Sequence, residues 1–433
     1  MKFSLATLGC KQNQYESDAL RDMLEWAGFE AASPGEKAGL CLINTCTVTA
    51  KADLESRQLI RRAIRSNTGA LVVVTGCYAQ VSPEAVRGIP GVDLVLGNSE
   101  KAEILYHLRN LQKAPVPQVW VKDVSSLRRF DDLPAPRRPD RTRAFLKVQD
   151  GCNYSCSFCI VPEARGRSRS QDPEAVLERV KELSAAGYPE VVFTGIHLGS
   201  YGQDLKPPAS LTDLVRRVIK VEGLGRLRLS SLDPHEVEEG LIRLFKDLPK
   251  LCRHLHLPLQ SGDDQILRLM RRTYDAGTYR KLVMDLTLAL PDLAIGADVI
   301  VGFPQETEEC FRNTYHLLED LPLAYLHVFS YSRREGTAAA AMPGQIPARV
   351  KAERGRMLRT LSQKKSLEFR SRFLGKVREV VVLSKRDGES GLLRGLTDNY
   401  IEILFPGEDA LMNRVVPLEI TGVEAEATYG RPS

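Results

Sequence analysis

The first third of the chain alternates short apolar runs with amphipathic stretches. Between the first two runs, the spacing of Leu20, Met23 and Leu24 predicts a helix with Ser17 as its N-terminal cap. Strands separated by helices are typical of a parallel sheet covered on both faces. We therefore predict an α/β fold whose N-terminal domain, residues 1–115, is a doubly wound parallel sheet. The apolar runs that predict its strands are 3–8, 40–44 and 71–75.

The same alternation returns after residue 141 and continues to about residue 370. Six apolar runs separated by helical patterns predict a series of right-handed βαβ units. Six units are fewer than the eight of a closed TIM barrel, so residues 141–370 should form a partial (β/α)6 TIM-like barrel, open enough for a large substrate. The predicted strands are 145–148, 190–195, 226–231, 254–259, 295–302 and 325–331.

Two further segments complete the domain organisation. Residues 116–140 combine prolines and mixed charges without periodicity, which is typical of a linker. Residues 347–376 form a helical pattern with ten Lys or Arg against two Glu. Beyond it, short strand-like runs separated by Gly, Asp and Asn predict a small all-β domain at residues 371–433. These runs are 377–383, 391–396, 400–405 and 414–420.

The composition narrows the class of protein. With 43% hydrophobic and 27% charged residues among 433, the chain is an ordinary globular protein. It has no apolar run of the ~18 residues that span a bilayer and no signal-like start. We therefore expect a cytoplasmic protein with no membrane partner. Because the net charge is only +5, nucleic-acid binding has to be argued from local clusters.

The strongest chemical signal is a group of three cysteines, Cys152, Cys156 and Cys159, just after the first predicted barrel strand. Thiolates at such spacings hold iron–sulfur clusters, and three protein ligands leave one iron open to a small molecule. The structural alternative is a zinc site, which needs a fourth ligand nearby. The next histidine in the chain is His197.

Three more cysteines occupy equivalent positions in the N-terminal domain. Cys10, Cys46 and Cys77 each follow a predicted strand, and the carboxyl ends of parallel strands converge on one crevice. Gly9 and Gly76 would allow close backbone approach there. Taken singly, a cysteine is more often a small buried apolar residue. We assign that role to the remaining three, Cys41, Cys252 and Cys310.

The cysteine motifs together resemble those of a known family. Cys152-Asn-Tyr-Ser-Cys156-Ser-Phe-Cys159, followed by Ile-Val-Pro-Glu-Ala-Arg-Gly, resembles the signature of radical S-adenosylmethionine (SAM) enzymes. Together with LGCKQNQYES around Cys10, INTCTVT around Cys46 and VTGCYAQ around Cys77, it resembles the methylthiotransferases over nearly the whole chain. The all-β domain is similar to the RNA-binding TRAM domain of that family, an OB-like fold. The resemblance implies two [4Fe–4S] clusters, one on each set of three cysteines.

The resemblance also implies a reaction. In that family, the cluster on the CxxxCxxC motif binds SAM and cleaves it reductively to a 5′-deoxyadenosyl radical, so Cys152, Cys156 and Cys159 are expected to be catalytic. The auxiliary cluster supplies or carries the sulfur, which a second SAM methylates. Barrel ligands bind at the carboxyl ends of strands. We accordingly expect SAM contacts at Phe158, Gly195, His197, Ser230, Gln260, Asp298 and Gly302.

Three branches of the family differ in substrate. The sequences VQDGC before Cys152, NQYES after Cys10 and GCYAQ around Cys77 look most like the branch that modifies carbon 2 of threonylcarbamoyladenosine 37 in tRNA. The alternatives are the isopentenyladenosine branch and the branch acting on an aspartate of a ribosomal protein. A different class of answer is an RNA-binding scaffold with structural zinc at both cysteine sets.

An RNA substrate would explain the local basic clusters. The basic helical segment joins the barrel to the all-β domain, and arginines in the linker and cluster loop add to it. We expect the tRNA anticodon stem-loop as substrate, an electron donor such as flavodoxin or ferredoxin, and a monomer. The RNA-binding candidates are Arg165, Arg354, Lys364, Lys365 and Arg370, with Arg137 and Arg138 in the linker.

Overall fold

The computed structural model describes residues 1–131, 133–136 and 141–433. The linker arginines Arg137 and Arg138 lie outside the described residues. The predicted α/β architecture is confirmed: a parallel sheet, a partial parallel barrel and a closed antiparallel barrel follow one another along the chain. No helix in the described ranges is long and apolar enough to cross a membrane.

The N-terminal unit is a parallel sheet with the strand order β2-β1-β3-β4-β5-β6. Separate apolar clusters cover its two faces, because the strands alternate side chains between them. This confirms the doubly wound sheet. Its elements are β1 (Lys2–Thr7), α1 (Lys11–Trp26), β2 (Glu30–Ala31), β3 (Leu40–Thr45), α2 (Ala50–Ser66), β4 (Leu71–Gly76), α3 (Cys77–Val81), α4 (Pro83–Arg87), β5 (Leu94–Leu96), α5 (Ile104–Leu108) and β6 (Gln118–Trp120).

Two boundaries differ from the sequence prediction. Helix α1 begins at Lys11, directly after Cys10, so Ser17 lies inside the helix and does not cap it. The Ser17 hydroxyl is buried and accepts a hydrogen bond from the Asn44 side chain at 3.0 Å. Strand β6 pairs with β5, which extends the sheet past residue 115 into the segment predicted as a linker.

The central unit contains all six predicted barrel strands, arranged as two parallel sheets, β11-β10-β7 and β12-β13-β14. A parallel bridge between Leu227 and Leu251 connects the sheets, which leaves the barrel open between β7 and β14. Its strands are β7 (Arg143–Lys147), β8 (Gln149–Asp150), β9 (Arg169–Ser170), β10 (Glu190–Thr194), β11 (Arg226–Leu229), β12 (His254–His256), β13 (Ala294–Val301) and β14 (Tyr325–Ser330). Its helices are α6 (Val161–Arg165), α7 (Pro173–Ala185), α8 (Leu211–Val218), α9 (Glu239–Asp247), α10 (Asp264–Leu269), α11 (Ala276–Ala289), α12 (Glu308–Asp320), α13 (Ala338–Ala341) and α14 (Ala348–Ser371).

The barrel strands separate apolar from polar side chains by alternation. Leu146, Val191 and Leu255 face the helices and join the main apolar core. Their neighbours in sequence, such as Glu190 and His256, point the other way because successive strand residues face opposite sides. The lumen of the partial barrel is therefore polar and charged.

The C-terminal unit is a closed barrel with the strand order β15-β16-β17-β19-β18. Four of its strands fall on predicted runs, and the fifth was missed because its sequence, Thr-Tyr-Gly-Arg-Pro, contains Gly and Pro, which are depleted in strands. Helix α14 leads into the barrel from the central unit. The strands are β15 (Val377–Val382), β16 (Leu393–Thr397), β17 (Glu402–Phe405), β18 (Val415–Val423) and β19 (Thr428–Pro432).

Buried charges attach the C-terminal barrel to the lumen. Glu190 accepts hydrogen bonds from Arg226 at 2.6 Å and Arg228 at 2.8 Å. The two guanidinium groups also donate to main-chain carbonyls of the C-terminal barrel, Arg226 to Leu396 at 2.8 Å and Arg228 to Thr397 at 3.0 Å. Because each donor is buried, the hydrogen bonds between units also satisfy charges that would otherwise be costly.

We predict that Arg228→Met weakens this attachment. Removing one partner from a buried charge network leaves Glu190 less well paired, which costs about 3–5 kcal/mol of unfolding free energy. Urea unfolding measures the loss, and limited proteolysis should release residues beyond α14 more readily. The control is Arg431→Met, because Arg431 pairs with Glu419 at the surface and should change stability by less than about 0.5 kcal/mol.

Candidate functional site

The three cysteines of the CxxxCxxC motif, Cys152, Cys156 and Cys159, lie on a loop that follows β8 at the carboxyl end of the barrel. The Cys152 amide donates to the Gly166 carbonyl at 3.0 Å, and the Cys159 amide donates to the Cys156 carbonyl at 3.0 Å. In the middle of the loop, the Ser157 hydroxyl donates to the Leu269 carbonyl at 2.7 Å. The loop is thus held at both ends and in its centre, which orders three thiols for one ligand.

Burial controls the protonation of these thiols. Burial, with a smaller contribution from the neighbouring Cys156, raises the pKa of Cys152 to about 11 and that of Cys159 to about 12. Without a metal, the two thiols are therefore protonated at neutral pH. Metal binding would release these protons, since thiolate is the ligand form.

Arg272, an arginine outside every motif of the sequence analysis, lies against this loop. The Arg272 guanidinium donates to the Cys156 Sγ at 3.3 Å and also to the Asp233 carboxylate. Its side chain is only 8% exposed, so its charge acts with little screening. Arg272 lies more than a hundred residues from Cys156 in sequence, and only the barrel fold brings them together.

The other cysteine set, Cys10, Cys46 and Cys77, lies at the carboxyl end of the N-terminal sheet, as predicted. Cys10 precedes α1, Cys46 follows β3, and Cys77 begins α3. Gly9 has φ +109°, and a Cβ there would lie 3.2 Å from the Cys46 Sγ. Gly76 has φ +97°, and a Cβ there would lie 2.4 Å from the Thr45 carbonyl oxygen. Both glycines are therefore required for the approach of the three strand ends.

The charges confirm that these thiols are neighbours. Burial, with smaller contributions from Cys77 and Cys10, raises the pKa of Cys46 to about 11. Desolvation by the surrounding protein raises the pKa of Cys10, while the positive charge of Arg165 acts in the opposite direction. The second set therefore combines the buried Cys46 and Cys77 with an exposed Cys10, and one cation lies close by.

The spacing of the thiols distinguishes between metal sites. Three thiolates on a single zinc lie about 3.8 Å apart, because each Zn–S bond is about 2.3 Å long. In the described part of the chain, neither cysteine set brings three ligand atoms within 4.8 Å of one another. The sets are thus wider than a mononuclear zinc site and fit a larger ligand, such as an iron–sulfur cluster.

A cavity of about 230 Å³ is lined by Cys159 and its neighbours and also by Val48 and Thr49, which follow Cys46 in the chain. Three of the expected SAM-contact residues, Phe158, Gln260 and Asp298, line this cavity. The remaining lining residues come from the strand ends: Ile300, Phe329, Ser330, Tyr331 and Ser332.

Asp298 is held by two histidines of the lumen. Its carboxylate lies 3.1 Å from the His256 Nε2 and 3.2 Å from the His327 Nδ1. Burial raises the pKa of Asp298, but the two histidines outweigh that effect and bring it to about 2. Asp298 is therefore ionised at any physiological pH and can accept hydrogen bonds from a ligand.

Of the expected SAM residues, His197 lines a second cleft, together with Asn153 and Tyr154 of the cysteine loop. The His197 Nε2 lies 2.7 Å from Glu236 and 3.6 Å from Asp233. Burial lowers the pKa of His197, but these carboxylates outweigh it and raise the pKa to about 9. A Cβ on Gly195 would lie 2.9 Å from the Gln149 Oε1, which itself accepts from the His197 amide at 2.8 Å.

The last two expected SAM residues, Gly302 and Ser230, differ in their surroundings. A Cβ on Gly302 would lie 2.3 Å from the Lys351 Cγ, and the Gly302 amide donates to Glu306 at 3.0 Å. Gly302 is thus required for packing of α14 against the barrel. The Ser230 hydroxyl is buried and has no hydrogen-bond partner among the described residues.

Arg165 is a correction to the predicted RNA contacts. Its side chain is 1% exposed, because it enters a buried network between the central and N-terminal units. It donates to Glu16 at 2.8 Å, to Asp150 at 3.1 Å and to Asn13 at 2.6 Å. The Lys101 Nζ also pairs with the Glu16 carboxylate, at 2.5 Å. Arg165 therefore joins the two cysteine-bearing units and is not accessible to a phosphate.

Three of the four remaining predicted RNA contacts are also wrong. Arg354 pairs with Glu306 at 2.5 Å, and Lys365 donates to the Leu321 carbonyl at 2.7 Å. Arg370 donates to the Ala427 carbonyl at 2.8 Å. Each of these side chains lies on the buried side of α14, a distinction that a count of charges cannot make. Lys364 is exposed, as are Arg349, Arg356 and Arg359 on the same helix.

Comparison with known proteins follows the division into units. Residues 2–97 match the uncharacterized protein family UPF0004, and residues 146–318 match the radical SAM superfamily. Among solved structures, the radical SAM methyltransferase TsrM from Kitasatospora setae has a TM-score of 0.59 at 17% identity, covering 83% of this chain and 85% of that one. This likeness supports the fold alone.

Sequence relatives cover nearly the full chain. The threonylcarbamoyladenosine tRNA methylthiotransferase MtaB of Bacillus subtilis is 41% identical over 96% of this chain and 92% of its own length. The tRNA-2-methylthio-N(6)-dimethylallyladenosine synthase of Moorella thermoacetica is 35% identical over 97% and 95%. With this degree and extent of identity, the chain belongs to the radical SAM methylthiotransferase family.

Proposed function

We propose that the chain transfers a methylthio group to carbon 2 of threonylcarbamoyladenosine 37 in tRNA, with SAM and two [4Fe–4S] clusters. The observation that carries this proposal is one cavity lined both by Cys159 and by Val48 and Thr49, the residues that follow Cys46. A single set of three cysteines would serve SAM cleavage alone. A second set close to the same cavity would supply what a sulfur transfer needs in addition, which is a place for sulfur beside the same substrate.

The two sets have separate tasks. Cys152, Cys156 and Cys159 would hold the cluster that binds SAM, and the set around Cys46 would hold the auxiliary cluster. When bound, these groups supply one-electron chemistry and sulfur that protein side chains lack. Arg272 donates a hydrogen bond to the Cys156 Sγ, which holds this part of the loop in place.

The cavity walls prepare the substrate side of the reaction. Phe158, Ile300 and Phe329 give the cavity apolar surfaces on which a purine ring can pack. Gln260 and Asp298 add polar groups that can orient a nucleoside. A base from an anticodon loop is already partly unstacked, so turning it into this cavity costs only a few kcal/mol.

The proposal includes the partners that this chemistry requires. The tRNA would contact the exposed basic side of α14, with Arg349, Arg356, Arg359 and Lys364, and the adjoining C-terminal barrel. An electron donor of the flavodoxin or ferredoxin type would approach the CxxxCxxC loop, where Asn153 and Ser155 are exposed. The protein would act as a monomer in the cytoplasm, where tRNA is found.

The central experiment is a product assay without oxygen. Wild-type protein, SAM and a reductant are incubated with tRNA carrying threonylcarbamoyladenosine, and nucleosides are analysed by mass spectrometry. We expect methylthiolated product from wild type and none from Cys152→Ala or Cys46→Ala. The matched control is Cys41→Ala, because Cys41 is buried in the apolar core and belongs to neither set. Product only from dimethylallyladenosine tRNA would assign the other branch, and product on a ribosomal protein would reject an RNA substrate.

A second prediction separates the two clusters. Gly76→Ala should remove the auxiliary cluster, because the added methyl collides with the backbone of the Cys46 strand. We expect iron to fall by about half, to about four per chain, while SAM cleavage without tRNA persists. The control is Gly69→Ala, which has a similar φ of +87° but no atom within 4 Å of the added carbon. Full iron content in Gly76→Ala would show that the packing of these strand ends is not required.

A further inference from the structure

Lys11 is a half-buried cation in the lumen. It follows Cys10 directly and forms the first residue of α1. Its ammonium group makes no hydrogen bond or ion pair with the described residues, whereas the fully buried Arg228 of the lumen is paired. A partly desolvated charge gains more from pairing than one in open water. Lys11, beside a cysteine of the site, is therefore available to bind an anion.

The carboxylate whose charge acts on Lys11 is already shared by other cations. Glu190 acts on Lys11 together with Arg143, Arg228 and the phenol of Tyr400. Glu190 is already shared by Arg228 at 2.8 Å, Arg226 at 2.6 Å and Arg143 at 3.5 Å. This region thus has more positive than negative charge, and its electrostatic potential favours an incoming anion.

A second polar group without a partner lies in the same place. The His254 Nε2 lies 2.8 Å from the Tyr325 hydroxyl, while its buried Nδ1 has no hydrogen-bond partner in the described residues. Burial and the charges of Arg228 and Lys11 hold the pKa of His254 well below its usual range, so the ring is neutral. If Tyr325 donates to Nε2, then Nδ1 carries the proton and can donate to an anion.

The chemistry of the substrate supplies such an anion. A threonylcarbamoyl group carries a free carboxylate a few bonds from N6 of adenine, whereas a dimethylallyl group is a hydrocarbon without charge. Building on the proposed function, we propose that Lys11, with the His254 Nδ1, binds the threonyl carboxylate of the substrate nucleoside. The site would make the enzyme select a charged N6 substituent over an apolar one, because the apolar group leaves both polar groups unpaired.

The test is a binding comparison with cluster-loaded protein and without SAM, so that no turnover occurs. Fluorescence anisotropy is measured with an anticodon stem-loop RNA that carries threonylcarbamoyladenosine, and with the same RNA carrying unmodified adenosine. We expect wild type to prefer the modified RNA by at least about tenfold, the size of a charge-assisted hydrogen bond. Lys11→Met should abolish the preference and leave affinity for the unmodified RNA unchanged. The control is Lys37→Met, an exposed lysine of the same unit, which should retain the preference.

Each other outcome overturns the inference. Equal weakening of both RNAs by Lys11→Met would identify a phosphate of the RNA backbone as the anion. A preference that survives Lys11→Met would place the carboxylate elsewhere. Iron content is measured in parallel, and a second comparison needs no variant: an RNA carrying the methyl ester of the threonyl group should bind wild type about tenfold more weakly. Unchanged affinity for the ester would contradict a carboxylate site even if Lys11→Met failed to fold.

A failure of this inference is distinguishable from a failure of the proposed function. Methylthiolation of threonylcarbamoyladenosine tRNA by wild type, together with an indifferent Lys11, would retain the function and remove only the subsite. Absence of methylthiolation by fully loaded wild type would reject the proposed function itself.

Discussion

The buried ion network around Arg165 is the interaction on which the rest of the site depends. Arg165 ends the helix that follows the CxxxCxxC loop, and Glu16 lies on the helix that follows Cys10. Their contact at 2.8 Å, inside a network with Asp150 and Lys101, fixes one cysteine set relative to the other. Buried charges of this kind contribute little net stability compared with apolar residues, but breaking one pair is costly. The network therefore specifies the position of the N-terminal unit relative to the central unit, and with it the position of one cysteine set relative to the other.

The open barrel explains why three units are needed for one site. A partial barrel leaves a gap between β7 and β14, and its lumen is charged. Helix α1 contributes Lys11 to this lumen, and the C-terminal barrel contributes Tyr400, whose ring stacks on His254 at 4.3 Å. In the proposed function, the N-terminal unit would bring sulfur chemistry, the central unit SAM chemistry, and the C-terminal unit an RNA surface. Recognition of a large RNA and of one nucleoside would then be combined at the same opening.

Much of this organisation was accessible from the sequence. The six barrel strands and β1, β3 and β4 of the N-terminal sheet were predicted because buried strands are continuous apolar runs, whereas β2, β5 and β6 were not, since each has only two or three residues. Both cysteine sets were selected because they follow such runs. The roles of the basic residues predicted to contact RNA were not accessible in this way. Arg165, Arg354, Lys365 and Arg370 look like solvent-facing charges in sequence, yet the fold pairs each with acids or carbonyls from distant segments. Arg272 and Lys11 were missed for the same reason. Arg272 matters because the fold places it against Cys156, and Lys11 because the fold leaves it without an ion-pair partner among the described residues.

The central claim is that two cysteine sets hold two iron–sulfur clusters across one cavity. The most direct measurement is the iron and zinc content, with the visible absorption spectrum, of protein purified and reconstituted without oxygen. Two [4Fe–4S] clusters predict about eight irons per chain, with broad visible absorption and no zinc. About four irons would leave only one set loaded, and zinc without visible absorption would contradict the enzyme and support an RNA-binding scaffold.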